Sequence, residues 1–261
     1  MSVTDVTQLM YSAALNNHTL EKSQLESVTK ILATYTEAHY PNIFNKQDFH
    51  PYQFSRLMYG MKVYSPDHHE NGRQVCQLFI TLNNMLVLKN TRTYLNSSSS
   101  LGDGDRKGQK DITSTNKGLF NARSFSMCVF GLQNIRPEYP PIREALVDMM
   151  KKFREVARYI DDICPLTLSY IIHGTQFQSN SSPELQELMS IVTNMAFHMK
   201  PELFTHQLVC NNITGLLKHK YSTSREVLSM LSILTTKFRE FDQIITHPII
   251  YSISLQPLLI V

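Results

Sequence analysis

Apolar positions return in the same order at five places along this chain, each time around a small residue. The five reference positions are Ser12, Gly60, Gly131, Gly174 and Gly215. Eleven residues earlier stand Met1, Phe49, Phe120, Ile163 and Phe204. Six earlier stand Val6, Phe54, Phe125, Leu168 and Val209, and two earlier Met10, Met58, Val129, Ile172 and Ile213. Steps of five and four residues put these columns, with Leu9, Leu57, Cys128 and Ile171, on one broad helical face. The spacing predicts that each Gly sits mid-helix, where it costs roughly 1 kcal/mol relative to Ala. A cost repeated in four copies points to close approach of a neighbouring helix, and Ser12 is small as well.

Each copy runs through a polar or Pro-bearing turn into a second amphipathic stretch. In the third copy this is 141–160, after Pro140. In the fourth it is 184–199, with Ser182 as N-cap and Pro183 in the first turn, and in the fifth it is 224–241. A Ser-Pro-Glu start is a helix N-terminus with a mechanism. The hydroxyl accepts an orphan N–H, Pro has none to lose, and the acid complements the dipole. The unit is therefore an antiparallel helix pair. The pattern predicts an all-α fold, an α-solenoid of about five such repeats of roughly 40 residues, over 1–48, 49–89, 120–162, 163–203 and 204–242. The reference positions are 48, 71, 43 and 41 residues apart, and the one long interval holds a polar insertion over 90–118.

Two further regions stand outside the repeat. The insertion carries Arg92, Arg106, Lys107, Lys110 and Lys117 among Ser and Gly. It reads as a flexible loop, either a tolerated surface insertion or a basic strap for phosphates. Its Gly102, Gly104 and Gly108 lack the Gly-Lys-Ser/Thr of a phosphate loop. Its Asp103 and Asp105 lack the remaining ligands of a calcium loop. The tail 243–261 is apolar, with Ile249, Ile250, Tyr251, Leu258, Leu259 and Ile260 as candidate protein-interface residues. It reads as a partial sixth repeat opening at Ile249, Ile250 and Tyr251, covered by a partner chain or by further sequence of the same chain, or as a segment that folds back as a cap. At the other end, the pattern suggests that the chain starts inside a helix.

Hydrophobic residues make up 42% of the 261, enough for a continuous core, and no apolar run is long enough for a membrane span. The net charge of +3 permits a nucleic-acid partner without demanding one, and ten histidines can add to it. Cys76, Cys128, Cys164 and Cys210 form no CxxC pair and read as reduced, buried thiols in a reducing compartment. The first 20 residues contain Asp5 and neither Lys nor Arg, so no secretory or Arg-rich transit segment is visible. No GxSxG, HExxH or paired zinc-ligand spacing occurs, so neither a catalytic residue nor a metal or other cofactor is expected. The densest titratable cluster, Asp67-His68-His69-Glu70, falls in a turn, and Asp161-Asp162 at a solvated junction.

What remains is a surface. Four residues before the reference position stand Gln8, Arg56, Met127, Tyr170 and Asn211. Two after it stand Ala14, Lys62, Gln133, Gln176 and Leu217. Arg, Asn, Gln and Tyr hydrogen-bond to or stack on unpaired bases. The candidate RNA-binding residues are therefore Gln8, Arg56, Lys62, Gln133, Tyr170, Gln176 and Asn211, with Arg106, Lys107 and Lys110 of the insertion. Equally, such residues are ordinary solvent-facing positions on amphipathic helices.

The phrases FSMCVFGLQNI (125–135) and LMYGMKV (57–63), with the helix-pair period, resemble octotricopeptide and heptatricopeptide repeats. These belong to organellar RNA-binding proteins that often carry a RAP domain. The resemblance implies a non-enzymatic protein that binds messenger or ribosomal RNA in a mitochondrion or other organelle; without it, the reading is cytoplasmic. Few repeats and no RAP-like segment favour a subunit of a larger ribonucleoprotein, with single-stranded or ribosomal RNA and protein subunits as partners. The alternative is a protein-interaction scaffold without RNA contact. An enzyme built on His68 and His69 is the third reading.

Overall fold

The computed structural model describes residues 1–45, 49–65, 71–87, 120–136, 140–160, 163–178, 182–200, 203–219 and 224–239. Among them are ten α-helices and two short 3-10 segments, Ile43–Asn45 and Met61–Val63. The helices are α1 (Val3–Leu15), α2 (Lys22–His39), α3 (Pro51–Gly60), α4 (Gly72–Met85), α5 (Ala122–Phe130), α6 (Pro140–Ala157), α7 (Pro165–Thr175), α8 (Pro183–His198), α9 (His206–Leu217) and α10 (Arg225–Arg239). They pack in sequential antiparallel pairs, as a helical-repeat arrangement requires. Each helix makes its main contacts with the helix two further on. The odd-numbered helices therefore form one layer and the even-numbered helices a second.

Local chemistry fixes where the helices start. Ser2 and Asp5 form a reciprocal capping box at α1, with Ser2 N donating to Asp5 Oδ2 at 2.7 Å and Asp5 N donating to Ser2 Oγ at 3.2 Å. Residue 2 thus precedes a capped helix, and the chain does not begin inside one. Asn121, Ser182, Thr205 and Ser224 accept a first-turn N–H at α5, α8, α9 and α10. Pro51, Pro165 and Pro183 occupy first-turn positions where a missing N–H costs nothing.

The apolar columns form the glue between layers. All five residues six before the reference position and all five residues two before it are buried. Eleven before it, four of five are buried, while Met1 is exposed. From this outer column Phe49 stacks on Phe44 with centroids 5.9 Å apart, and Phe120 meets Phe44 and Phe54 edge-to-face at 6.0 and 6.1 Å. In the second layer, Val75, Leu78, Phe79 and Leu82 of α4 and Leu146, Met149, Met150 and Phe153 of α6 complete the core.

The glycines lie in or just after the last turn of their helices, not mid-helix. Gly60 ends α3 and Gly131 caps α5, with right-handed backbone at both positions, and Gly174 and Gly215 come within three residues of the ends of α7 and α9. Close approach, not backbone freedom, requires them. The residue two before one reference position rests on the glycine of the next repeat: Met10 on Gly60, Met58 on Gly131, Val129 on Gly174 and Ile172 on Gly215. At Gly131 and Gly174 the obstructing atoms are backbone, Met58 O and Val129 O, which a Cβ would overlap. At Gly215 a Cβ would lie 2.7 Å from Ile172 Cγ2, and at Gly60 3.0 Å from Met10 Cβ.

Ala is the better helix former by roughly 1 kcal/mol, yet Gly131→Ala and Gly174→Ala should each lower stability by about 1–3 kcal/mol in urea denaturation, because neighbouring backbone must shift. Gly60→Ala should lose less. Unchanged or raised midpoints for both Gly131→Ala and Gly174→Ala would contradict this packing.

Candidate nucleic-acid interface

Close approach of the first-layer helices brings one set of side chains into line across them. Tyr11, Tyr59 and Phe130 each stand one residue before their reference position, and Tyr170 stands one turn earlier on α7. Their ring centroids are 5.4 Å apart between Tyr11 and Tyr59, 5.6 Å between Tyr59 and Phe130, and 4.7 Å between Phe130 and Tyr170. All four side chains are half-buried, so part of each ring packs on its neighbour and part meets water. Burial raises the Tyr170 hydroxyl above its ordinary pKa, and the nearby Tyr59 and Tyr11 push it the same way.

Cations accompany the rings. The Arg56 guanidinium lies 4.7 Å from the centroids of both Tyr11 and Tyr52, and its Nη1 donates to Gln8 Oε1 at 3.4 Å. Lys62 Nζ lies 4.5 Å from the Tyr59 centroid and donates to the Tyr59 hydroxyl at 3.0 Å. Arg136 sits 4.9 Å over the Phe177 ring. These are cation–π distances, and they hold the charges on the same side as the rings.

The two layers differ in charge. On the described first-layer helices and the turns that follow them stand Arg56, Lys62, Arg123, Arg136 and Lys218, against two carboxylates, Asp5 and Glu21. Asp5 is engaged by Ser2, whose backbone and hydroxyl hold it below its ordinary pKa. The second layer mixes both signs, and its described ion pairs lie on α6 and α8. They include Lys152–Asp148 at 2.8 Å, Arg154–Glu187 at 3.0 Å and Lys151–Glu184 at 3.9 Å. There Asp148 also accepts from Asn83 Nδ2 at 2.9 Å, tying α4 to α6. Burial opposes the Asp148 carboxylate, but the hydrogen bonds from Lys152 and Asn83 outweigh it and lower its pKa.

The residues expected to touch RNA divide into three groups. Gln8, Arg56, Lys62 and Tyr170 gather at the aromatic ladder. Gln133 and Gln176 act instead as connectors. Gln133 Nε2 donates to Lys62 O at 3.3 Å, and Gln176 Nε2 donates to Gln133 O at 3.1 Å, with the Gln176 side chain buried. Asn134, Gln178 and His219 do the same, donating to Lys62 O, Ile135 O and Ile172 O. Such donors satisfy carbonyls in the last turn of the preceding first-layer helix or in the segment just after it. Asn211 Oδ1 accepts from Gln207 Nε2 at 2.9 Å on α9, and Met127 of the same column is buried. Arg106, Lys107, Lys110, Ile249, Ile250, Tyr251, Leu258, Leu259 and Ile260 lie outside the described residues, as do His68 and His69.

The aromatic column Tyr11, Tyr59, Phe130 was missed by reading columns for polarity alone. Scanning each column for aromatics would have found it. The cysteines also differ from expectation. Cys76 and Cys128 are buried, but Cys164 is exposed at the N-terminus of α7 and Cys210 is half-buried. Burial opposes the Cys164 thiolate, yet the Thr167 and Leu166 N–H groups and the Thr167 hydroxyl outweigh it and lower its pKa. Among the described residues no group of three or more His, Cys, Asp or Glu could hold a metal ion, and no helix is long and apolar enough to cross a membrane.

The His219 contact gives the connectors a pH signature. Nε2 lies 3.0 Å from Ile172 O, so it carries the proton and donates. Burial lowers the His219 pKa, the bond to Ile172 opposes that, and His173 adds to the lowering. The unfolded chain binds a proton near the ordinary value of 6.5 while the fold resists it, so this contribution is complete above that value and shrinks as pH falls below it. Moving from about pH 7.5 to about pH 5 should lower the urea midpoint of wild type more than that of His219→Gln, which keeps a donor without a titrating ring. Equal pH dependence in the two proteins would refute the assignment.

No family model matches this chain, and no curated protein or solved structure matches it either.

Proposed function

We propose that the chain is a non-enzymatic RNA-binding protein, an α-solenoid of about five helix-pair repeats that serves within an organellar ribonucleoprotein such as a ribosome or a translation or processing factor. One observation carries the RNA reading: the first layer presents aligned aromatic rings and five cations against two carboxylates, one of them capped by Ser2. A polyanion is drawn to such a face, and half-exposed rings accept bases. The organellar assignment rests on the resemblance of FSMCVFGLQNI and LMYGMKV to octotricopeptide-type repeats.

A protein-interaction scaffold is the second reading. It is favoured by a cavity of about 1010 Å³ lined in part by Ile163, Ile191, Met195 and Leu203, with Leu203 itself exposed. The two readings part in a binding experiment. The logarithm of RNA affinity should fall linearly with log salt concentration, and Arg56→Glu or Lys62→Glu should weaken binding about tenfold or more and flatten that slope. Filter binding at low salt that is unchanged by both substitutions would defeat the RNA reading. Absence of RNA affinity with a stable protein partner would favour the scaffold.

A further inference from the structure

The same face carries information about how a strand would be held. A helical-repeat protein that reads one base per repeat needs free donors and acceptors in register. Here those groups already have protein partners. Gln133 and Gln176 donate to backbone carbonyls, Gln8 Oε1 accepts from Arg56, Asn211 Oδ1 accepts from Gln207, and Met127 is buried. The exposed amides Gln8 and Gln207 are hydrogen-bonded to their own neighbours, and what the ladder itself turns to water is π-surface and charge. Stacking is tolerant of base identity because every base has a π-face, whereas hydrogen-bond readout is not.

Resting on the RNA-binding reading, we propose that the Tyr11–Tyr59–Phe130–Tyr170 ladder is a stacking platform for unpaired RNA that runs across successive helices and discriminates little among bases. Arg56 anchors the strand. Two tyrosine rings hold its guanidinium in place with no carboxylate among its described partners, which suits it to a backbone phosphate. Lys62 supplies a second charge beside Tyr59 and Phe130. Paired RNA is excluded by the same logic, because bases inside a duplex offer no free face to a row of rings.

Fluorescence anisotropy at about 50 mM salt, with labelled RNAs of about 12 nucleotides, tests this. The probes are oligo-U, oligo-A, oligo-C, one mixed sequence and a blunt duplex of equal length. Single strands should bind within about threefold to fivefold of one another and the duplex about tenfold or more weaker. The Tyr59→Leu/Phe130→Leu double variant should lose about tenfold to a hundredfold for every single strand. Tyr59→Phe, which keeps the ring but drops the hydroxyl that accepts from Lys62, should lose at most about threefold. Equal thermal midpoints of wild type and the double variant show that the loss is not unfolding; if the double variant is destabilised, Tyr59→Leu alone should still lose clearly more affinity than Tyr59→Phe. Each failure reads separately. If wild type binds single strands but the Leu variants bind equally well, or the duplex binds as tightly, the platform is overturned and the RNA reading stands. One sequence bound about a hundredfold tighter than the rest overturns base tolerance. If wild type binds none of the probes, both readings fall.

Discussion

The approach of each first-layer helix onto the glycine of the next sets everything else. At Gly131 and Gly174 the neighbouring atom is a backbone carbonyl, so the helices touch main chain to main chain with no side chain between them. That closeness has two consequences one residue and a few residues away. One residue before the glycine, side chains that would otherwise be separated by a helix diameter come to ring–ring distances of 5.4 and 5.6 Å. A few residues after it, short amide side chains reach the carbonyl ends of the preceding helix. The apolar columns then hold the second layer against this spine, with interiors packed tightly enough that the spacing does not relax.

Charge follows the same division. The second layer behaves as a solvated helical surface, its Lys, Arg, Asp and Glu neutralising one another across α6 and α8. Exposed pairs of this kind contribute little stability individually, and their effect is to keep that side balanced. The first layer has no such balance. Its cations rest on aromatic rings and amide oxygens, so their field reaches solvent and raises the local concentration of a polyanion. A chain of modest net charge thereby carries a one-sided face.

Much of the fold was legible because repeated apolar columns constrain helix faces directly, and because Ser182-Pro183-Glu184 and its counterparts mark helix starts by local chemistry. The reason for the glycines was also legible, but not their place in the last turn, since Met61–Val63 continues the apolar pattern past Gly60 in a tighter 3-10 coil. The site was only half legible. Arg56, Lys62 and Tyr170 stand out by residue type alone. Whether Gln133 and Gln176 point at water or at a carbonyl depends on the offset between two helices, which no single repeat encodes. The ring column was hidden for a related reason: Tyr11, Tyr59 and Phe130 each look like an ordinary boundary residue of an amphipathic helix, and only their alignment across neighbours gives them a common role.

The most direct test of the account is to locate RNA on the protein by ultraviolet crosslinking of the full chain to a single-stranded RNA, followed by peptide mass spectrometry. The account predicts nucleotide adducts on the first layer, at Tyr11, Tyr59, Phe130 or Tyr170 and the segments around them. Adducts confined to the second-layer helices α6 and α8, or no adduct at all, would contradict it.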